Sequence, residues 1–123
     1  MAAPSSPAPW PTDIKLKKSE RALEVTFEDG ATFHLLAEYL RVESPSAEVQ
    51  GHGASQKVTV GGKRNVAIDS VEPVGNYAVR LIFSDGHDTG LYTWETLYRL
   101  GRDQEKIWTD YLTALAREGL ERD

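Results

Sequence analysis

Twice in this chain an apolar, strand-like run closes on Phe-x-Asp-Gly, first in alternation at Val25-Thr26-Phe27-Glu28-Asp29-Gly30 and again, with branched and aromatic residues in succession, at Leu81-Ile82-Phe83-Ser84-Asp85-Gly86. Alternation at period two turns one face of an extended segment toward a core and the other toward solvent. Asp-Gly supplies the backbone freedom that a tight reversal needs. Each run therefore predicts a strand entering a hairpin turn, and the repetition reflects shared turn stereochemistry rather than a solenoid. Leu23, Val25 and Phe27 alternate with Glu24 and Thr26, and Phe33 and Leu35 resume the pattern after the turn, so residues 23–35 are predicted as a β-hairpin. Ile14 and Leu16, set among lysines, predict a strand before it.

Residues 36–42 predict one or two helical turns. Residues 43–57 are polar, contain Pro45, Gly51 and Gly53, and lose the period-two signal, which predicts a long surface loop. Val58 and Val60 suggest a short strand before Gly61-Gly62; Val66, Ile68 and Val71 continue in extended form to Pro73, and residues 77–83 carry the strongest β signal. From Trp94 the period becomes helical, with Trp94, Leu97 and Tyr98 at i, i+3, i+4, Thr93 placed to cap and Gly101 to terminate. A second helix is predicted from Asp103, with Ile107, Trp108, Tyr111, Leu112 and Leu115 as its apolar stripe and Gly119 as its stop. Strands first and helices last predict an α+β fold, a small antiparallel-rich β-sheet built from hairpins with C-terminal helices packed against it. Residues 1–12, with Pro4, Pro7, Pro9 and Pro11, are expected to be a disordered tail, residues 13–101 the folded domain, and residues 102–123 a C-terminal helical extension.

A chain of 123 residues holds one core and buries roughly 65% of its unfolded surface. The net charge of -5 offers no general attraction to phosphate backbones or anionic membranes, so neither nucleic acid nor membrane is expected as a partner. There is no cysteine, which removes disulfides, thiolate metal sites and thiol nucleophiles together. No apolar run has the length of a membrane span, and the first residues lack a basic region followed by an apolar one; a cytoplasmic location is expected.

Catalytic motifs are missing. Gly61-Gly62-Lys63-Arg64 lacks the spacing and hydroxyl of a phosphate-binding loop, and there is no Gly-x-Ser-x-Gly elbow. Residues two places after the three histidines are Leu36, Ala54 and Thr89, so the His-x-Asp/Glu element of an iron-binding triad is absent. His87 follows the Asp85-Gly86 turn with Asp88 beside it: it is either a turn residue bonded to local backbone or part of a metal site or docking surface. His52, between two glycines, is read as an exposed loop residue or a reachable ligand, and His34 as facing away from Phe33 and Leu35. Lys15, Lys17, Lys18 and Arg21 are read as the charged face of an edge strand, with an anion patch as the alternative. Trp94, Tyr98, Trp108 and Tyr111, at helical spacing, are read first as core and second as a partner surface.

Leu40-Arg41-Val42, Ser44-Pro45-Ser46-Ala47-Glu48-Val49, Pro73-Val74-Gly75-Asn76-Tyr77-Ala78-Val79 and Phe83-Ser84-Asp85-Gly86-His87-Asp88-Thr89-Gly90 resemble the DUF971, or gamma-butyrobetaine hydroxylase-like N-terminal domain, family over about residues 14–100. The resemblance implies a domain that in the hydroxylase precedes an iron-dependent catalytic domain and carries a zinc site of three cysteines and a histidine. Laid on this chain, those positions are Ser44, Ser46, Val49 and His87. Serine is a poor zinc ligand and valine is none, so the inherited site is expected to be lost. Related domains fused to P-loop ATPases imply accessory work in iron–sulfur or metalloprotein maturation.

Two readings compete. In the first, the chain is a stand-alone, non-enzymatic binding module without a cofactor, docking a protein partner through Arg41, Asp85, His87, Asp88, Tyr92 and Trp94, with a homo-oligomer also open. In the second, it binds iron or zinc through His87, His52 and a carboxylate such as Asp85 or Asp88. An enzymatic use of Asp85 and His87 as acid and base has no pocket legible in the sequence to support it.

Overall fold

A computed structural model of the chain describes residues 8–50 and 57–123. Two antiparallel three-stranded sheets form, each built around one of the Phe-x-Asp-Gly turns. In the first, β1 (Pro11–Lys17), β2 (Ala22–Phe27) and β3 (Thr32–Leu36) lie in that order. Two short helices follow, α1 (Ala37–Val42) and α2 (Ala47–Gln50). The second sheet holds β4 (Ile68–Val74), β5 (Ala78–Phe83) and β6 (Leu91–Thr93), and the chain ends in α3 (Trp94–Arg102) and α4 (Gln104–Glu118). The α+β expectation holds, with the strands divided between two sheets.

The two turns match bond for bond. Phe27 N donates to Ala31 O (2.8 Å) and Gly30 N to Phe27 O (2.9 Å), while Phe83 N donates to His87 O (3.0 Å) and Gly86 N to Phe83 O (3.0 Å). In each the aspartate accepts from the backbone two residues on, Asp29 from Ala31 N at 2.9 Å and Asp85 from His87 N at 3.0 Å. Gly30 and Gly86 have φ of 92° and 90°, where a side chain would be strained. His87 thus occupies the place that Ala31 holds in the first turn.

Leu23, Val25 and Phe27 of β2 meet Leu81 and Phe83 of β5 and Leu97 and Leu100 of α3 in one core. Fully burying side chains of this size contributes about 1.5–3 kcal/mol each. Thr93 caps α3, its hydroxyl accepting from Thr96 N at 3.1 Å, and Gly119, with φ 70°, ends α4. β1 is an outer strand carrying Lys15 and Lys17, and His34 lies 3.5 Å from Glu20 on the exposed side of β3.

Four boundaries differ from expectation. Pro11 and Thr12, placed in the tail by proline content, belong to β1, whose register continues to Phe27, and residues 1–7 lie outside the described residues. Residues 43–50 are not an open surface loop: Glu43, Ser44, Ser46 and Val49 are buried and α2 forms. Val58 and Val60 are not in a strand. Gly101 does not end α3 but lies within it, because a Cβ there would enter the Phe33 ring. The C-terminal helical extension packs on the rest of the domain, in keeping with the expected fold class. Trp108 packs edge-on against Tyr39 (6.1 Å, 79°), Leu115 clusters with Val42, and Gly62 N and Arg64 N each donate at 2.9 Å to carbonyls of Glu121 and Arg122. No helix among the described residues is long and apolar enough to cross a membrane.

Candidate functional site

Helix α1 is buried along its whole length although it carries Glu38 and Arg41. Burial of such groups requires partners, because an isolated charge out of water is prohibitively costly. Glu38 receives Arg122 in a two-pronged pair at 2.9 and 2.7 Å. Just beyond the helix, burial raises the Glu43 carboxyl, an effect opposed by Lys57 at 2.6 Å. Arg41 reaches the second turn, its Nε donating to Asp85 Oδ2 at 2.8 Å, and Lys63 Nζ donates to the same oxygen at 2.6 Å. Among the described residues Arg41 Nη1 is buried without a hydrogen-bond partner, while its Nε is bonded to Asp85. Burial alone would raise the Asp85 carboxyl, but hydrogen bonds from Lys63, the His87 amide and Arg41, with the Arg41 charge, hold it down at about 2.

Behind this ion cluster, His87 meets the segment after α1. Its Nε2 lies 2.9 Å from Ser44 Oγ and 3.3 Å from Ser46 Oγ. Ser44 Oγ donates to Ser46 Oγ at 3.2 Å and accepts from Ser46 N at 3.3 Å. All three residues are buried, Ser44 completely. Gly90 makes the approach possible, since a Cβ there would stand 2.5 Å from Ser44 Oγ and 3.3 Å from Pro45.

Of the residues foreseen as a binding surface, the structure joins Arg41, Asp85 and His87 in this cluster but buries Arg41 and His87. Tyr92 is fully buried, its hydroxyl donating to Leu40 O at 2.6 Å, so it is a core residue and not part of a surface. Asp88 and Trp94 are half-buried, and Trp94 Nε1 donates to Asn76 O at 2.9 Å. Lys63, Gly90 and the Glu38–Arg122 pair escaped sequence reasoning. Their partners lie far off in sequence, 22 residues for Lys63 and Asp85, and no local pattern marks them.

The metal sets expected from the sequence fare differently. For the inherited positions, Ser44, Ser46 and His87 do converge, but as a hydrogen-bonded group. Tetrahedral zinc with ligands about 2.0–2.3 Å away holds them about 3.3 Å or more apart, whereas Ser44 Oγ and His87 Nε2 are 2.9 Å apart. Two neutral hydroxyls and Val49 complete a donor set that does not fit zinc. For the alternative set, His52 lies outside the described residues, and Asp85 is bonded to two cations and an amide. Among the described residues no group of three or more His, Asp or Glu is gathered to hold a metal.

A cavity of about 320 Å³ lies beside the ion cluster, lined by Lys63, Arg64, Asn65, Ser84, Asp85 and Arg122, among others. Asp85 faces it, whereas His87 Nε2 is turned to the serines.

Two hairpin sheets with terminal helices, stapled by an arginine-bound Asp-Gly-His turn, define a small α+β domain of one family. Residues 14–98 match the family described as gamma-butyrobetaine hydroxylase-like, N-terminal, and the chain belongs to it. Two NMR solution structures are similar throughout: one is 46% identical, with 95% of this chain and 92% of that chain covered and a TM-score of 0.83. The other is 49% identical, with coverage of 99% and 91% and a TM-score of 0.83. A crystal structure of a DUF971-family protein of unknown function from Acidithiobacillus ferrooxidans is 44% identical, covering 74% of this chain and 91% of that one, with a TM-score of 0.62. No curated protein matches.

Proposed function

We propose that this chain is a non-catalytic accessory module, working without a cofactor, that docks a protein partner along the outer strand β6 of its second sheet. The observation that carries this reading is how the polar groups of the site are used: Arg41, Lys63, Asp85, Ser44, Ser46 and His87 are bonded to one another. Groups spent in this way stiffen a surface and leave recognition to what surrounds them. Next to this group in the chain is Asp88, further along the sheet is Leu91 of β6, 40% exposed, and at the opposite end of β5 lie Trp94 and Tyr77, the latter 50% exposed. Trp94 N donates to Tyr77 O at 3.3 Å, so these two residues are held together at the β4–β5 end of the sheet. β6 is the outer strand of its sheet, so one of its backbone edges lacks a strand neighbour, a feature that suits pairing with a partner segment. The family resemblance implies that the partner belongs to iron–sulfur or metalloprotein maturation in the cytoplasm.

A photo-crosslinking residue at Leu91, compared in cells with one at Leu112 on α4, tests this. One reproducible adduct from position 91, abolished by Asp88→Lys or Tyr77→Ala, is the expected result. The same adducts from both positions, or none from Leu91, would remove the docking reading, and an adduct with a second copy of the chain would replace it with a homo-oligomer.

A further inference from the structure

We propose that the Ser44–Ser46–His87 group is a metal-free clasp: it ties the segment after α1 to the β5–β6 turn by hydrogen bonds, in place of a metal ion. This stands independently of the docking reading. Two observations carry it. The first is convergence: His87 Nε2 reaches both hydroxyls, at 2.9 and 3.3 Å, across 43 and 41 residues of sequence, and the hydroxyls bond each other at 3.2 Å. His87 Nε2 thereby gives both buried hydroxyls a polar partner, as burial requires. The second is the room made for it. Gly90 is the residue that lets Ser44 pass so close to the strand leading from His87, and a side chain there would collide with the Ser44 hydroxyl.

Three side chains therefore meet within about one ligand–ligand spacing of each other, and the atoms presented are two hydroxyl oxygens and one imidazole nitrogen. Val49, the fourth inherited position, is buried one helical segment further on. The difference from a zinc site lies in side-chain chemistry, with hydroxyls at two of the inherited positions and a valine at a third. Restoring thiolates at Ser44, Ser46 and Val49, with His87 in place, supplies a three-sulfur, one-nitrogen set of the type that binds zinc as a structural ion.

Cobalt(II), a spectroscopic substitute for zinc, tests this on the full chain purified without a histidine tag. The wild type is expected to show no tetrahedral cobalt absorption and a melting temperature unaffected by chelator. Ser44→Ala/Ser46→Ala, still folded by circular dichroism, is expected to melt about 5–10 °C lower. Ser44→Cys/Ser46→Cys/Val49→Cys is expected to bind one cobalt with thiolate charge-transfer bands, weakened at least tenfold by adding His87→Ala. If that variant is unfolded without metal, folding on cobalt addition is the same positive result. Stoichiometric cobalt in the wild type that His87→Ala abolishes would overturn the proposal. So would an unchanged melting temperature in the double alanine variant, or a cysteine variant that binds no cobalt.

Discussion

Asp85 holds three bonds with one carboxylate, so its removal is the most informative single change. Asp85→Asn keeps the volume but leaves Arg41 buried with no anion, and breaking such a pair costs about 2–4 kcal/mol; urea unfolding at neutral pH measures it. The sign with pH follows from the depressed carboxyl. Its stabilisation is complete above the ordinary aspartate value and is lost as pH falls from about 4 to the folded value of about 2. The wild type should therefore lose part of its advantage over the variant in that interval, followed by the same unfolding assay. Gly90→Ala places a methyl at 2.5 Å from Ser44 Oγ, and overpacking of this kind costs about 1–3 kcal/mol. Thermal melts report it, with the largest amide shifts expected at Ser44 and His87. His87 was singled out by its place after Asp-Gly, which is a local signal. Tyr92 was misplaced on a surface because an aromatic ring with a polar tip reads equally well as either, and only the Leu40 carbonyl, 52 residues away, settles where the hydroxyl goes.

At the scale of elements, the C-terminal helix and the residues after it are bound into the domain by a charge. Arg122 satisfies Glu38, which is 5% exposed, and its guanidinium lies 5.3 Å from the Trp108 ring. Arg122→Ala leaves that carboxylate buried and unpaired, with an expected loss of about 2–4 kcal/mol, whereas Arg117→Ala, on the exposed side of α4, should change stability by less than about 0.5 kcal/mol. Paired denaturation curves decide between an integral element and an appended one. The helix limits at Thr93 and Gly119 were legible because capping chemistry is local. Gly101 was misread for the converse reason: a glycine in a helical run signals a stop in sequence terms, and here its cause is the Phe33 ring pressed against α3 from β3. Residues 43–50 were misread as open because polarity predicts exposure, whereas Lys57, Gln50 and His87 supply partners that let them be buried.

For the whole molecule, three tyrosines fasten distant segments with their hydroxyls, Tyr39 to Leu100 O at 2.7 Å, Tyr92 to Leu40 O at 2.6 Å and Tyr111 to Val60 O at 2.6 Å. Burial pushes all three phenols up, Tyr111 to about 12. An unfolded tyrosine ionises near pH 10, so the unfolded chain releases protons that the folded one retains, and stability falls as pH rises from about 10 toward 12. Alkaline titration should show the tyrosinate absorbance of these residues appearing together with loss of near-ultraviolet circular dichroism; ionisation in the intact fold would contradict the arrangement. Strands β1 to β5, both Asp-Gly turns and the two terminal helices were legible in the sequence alone, because alternation, turn sterics and helical period act between residues a few places apart, whereas the three-residue β6 carries no such pattern. Division of the strands into two sheets, burial of the charged helix α1 and the meeting of Ser44 with His87 were decided only by tertiary structure. Each depends on contacts between residues tens of positions apart, whose energy exists only once the intervening chain has folded.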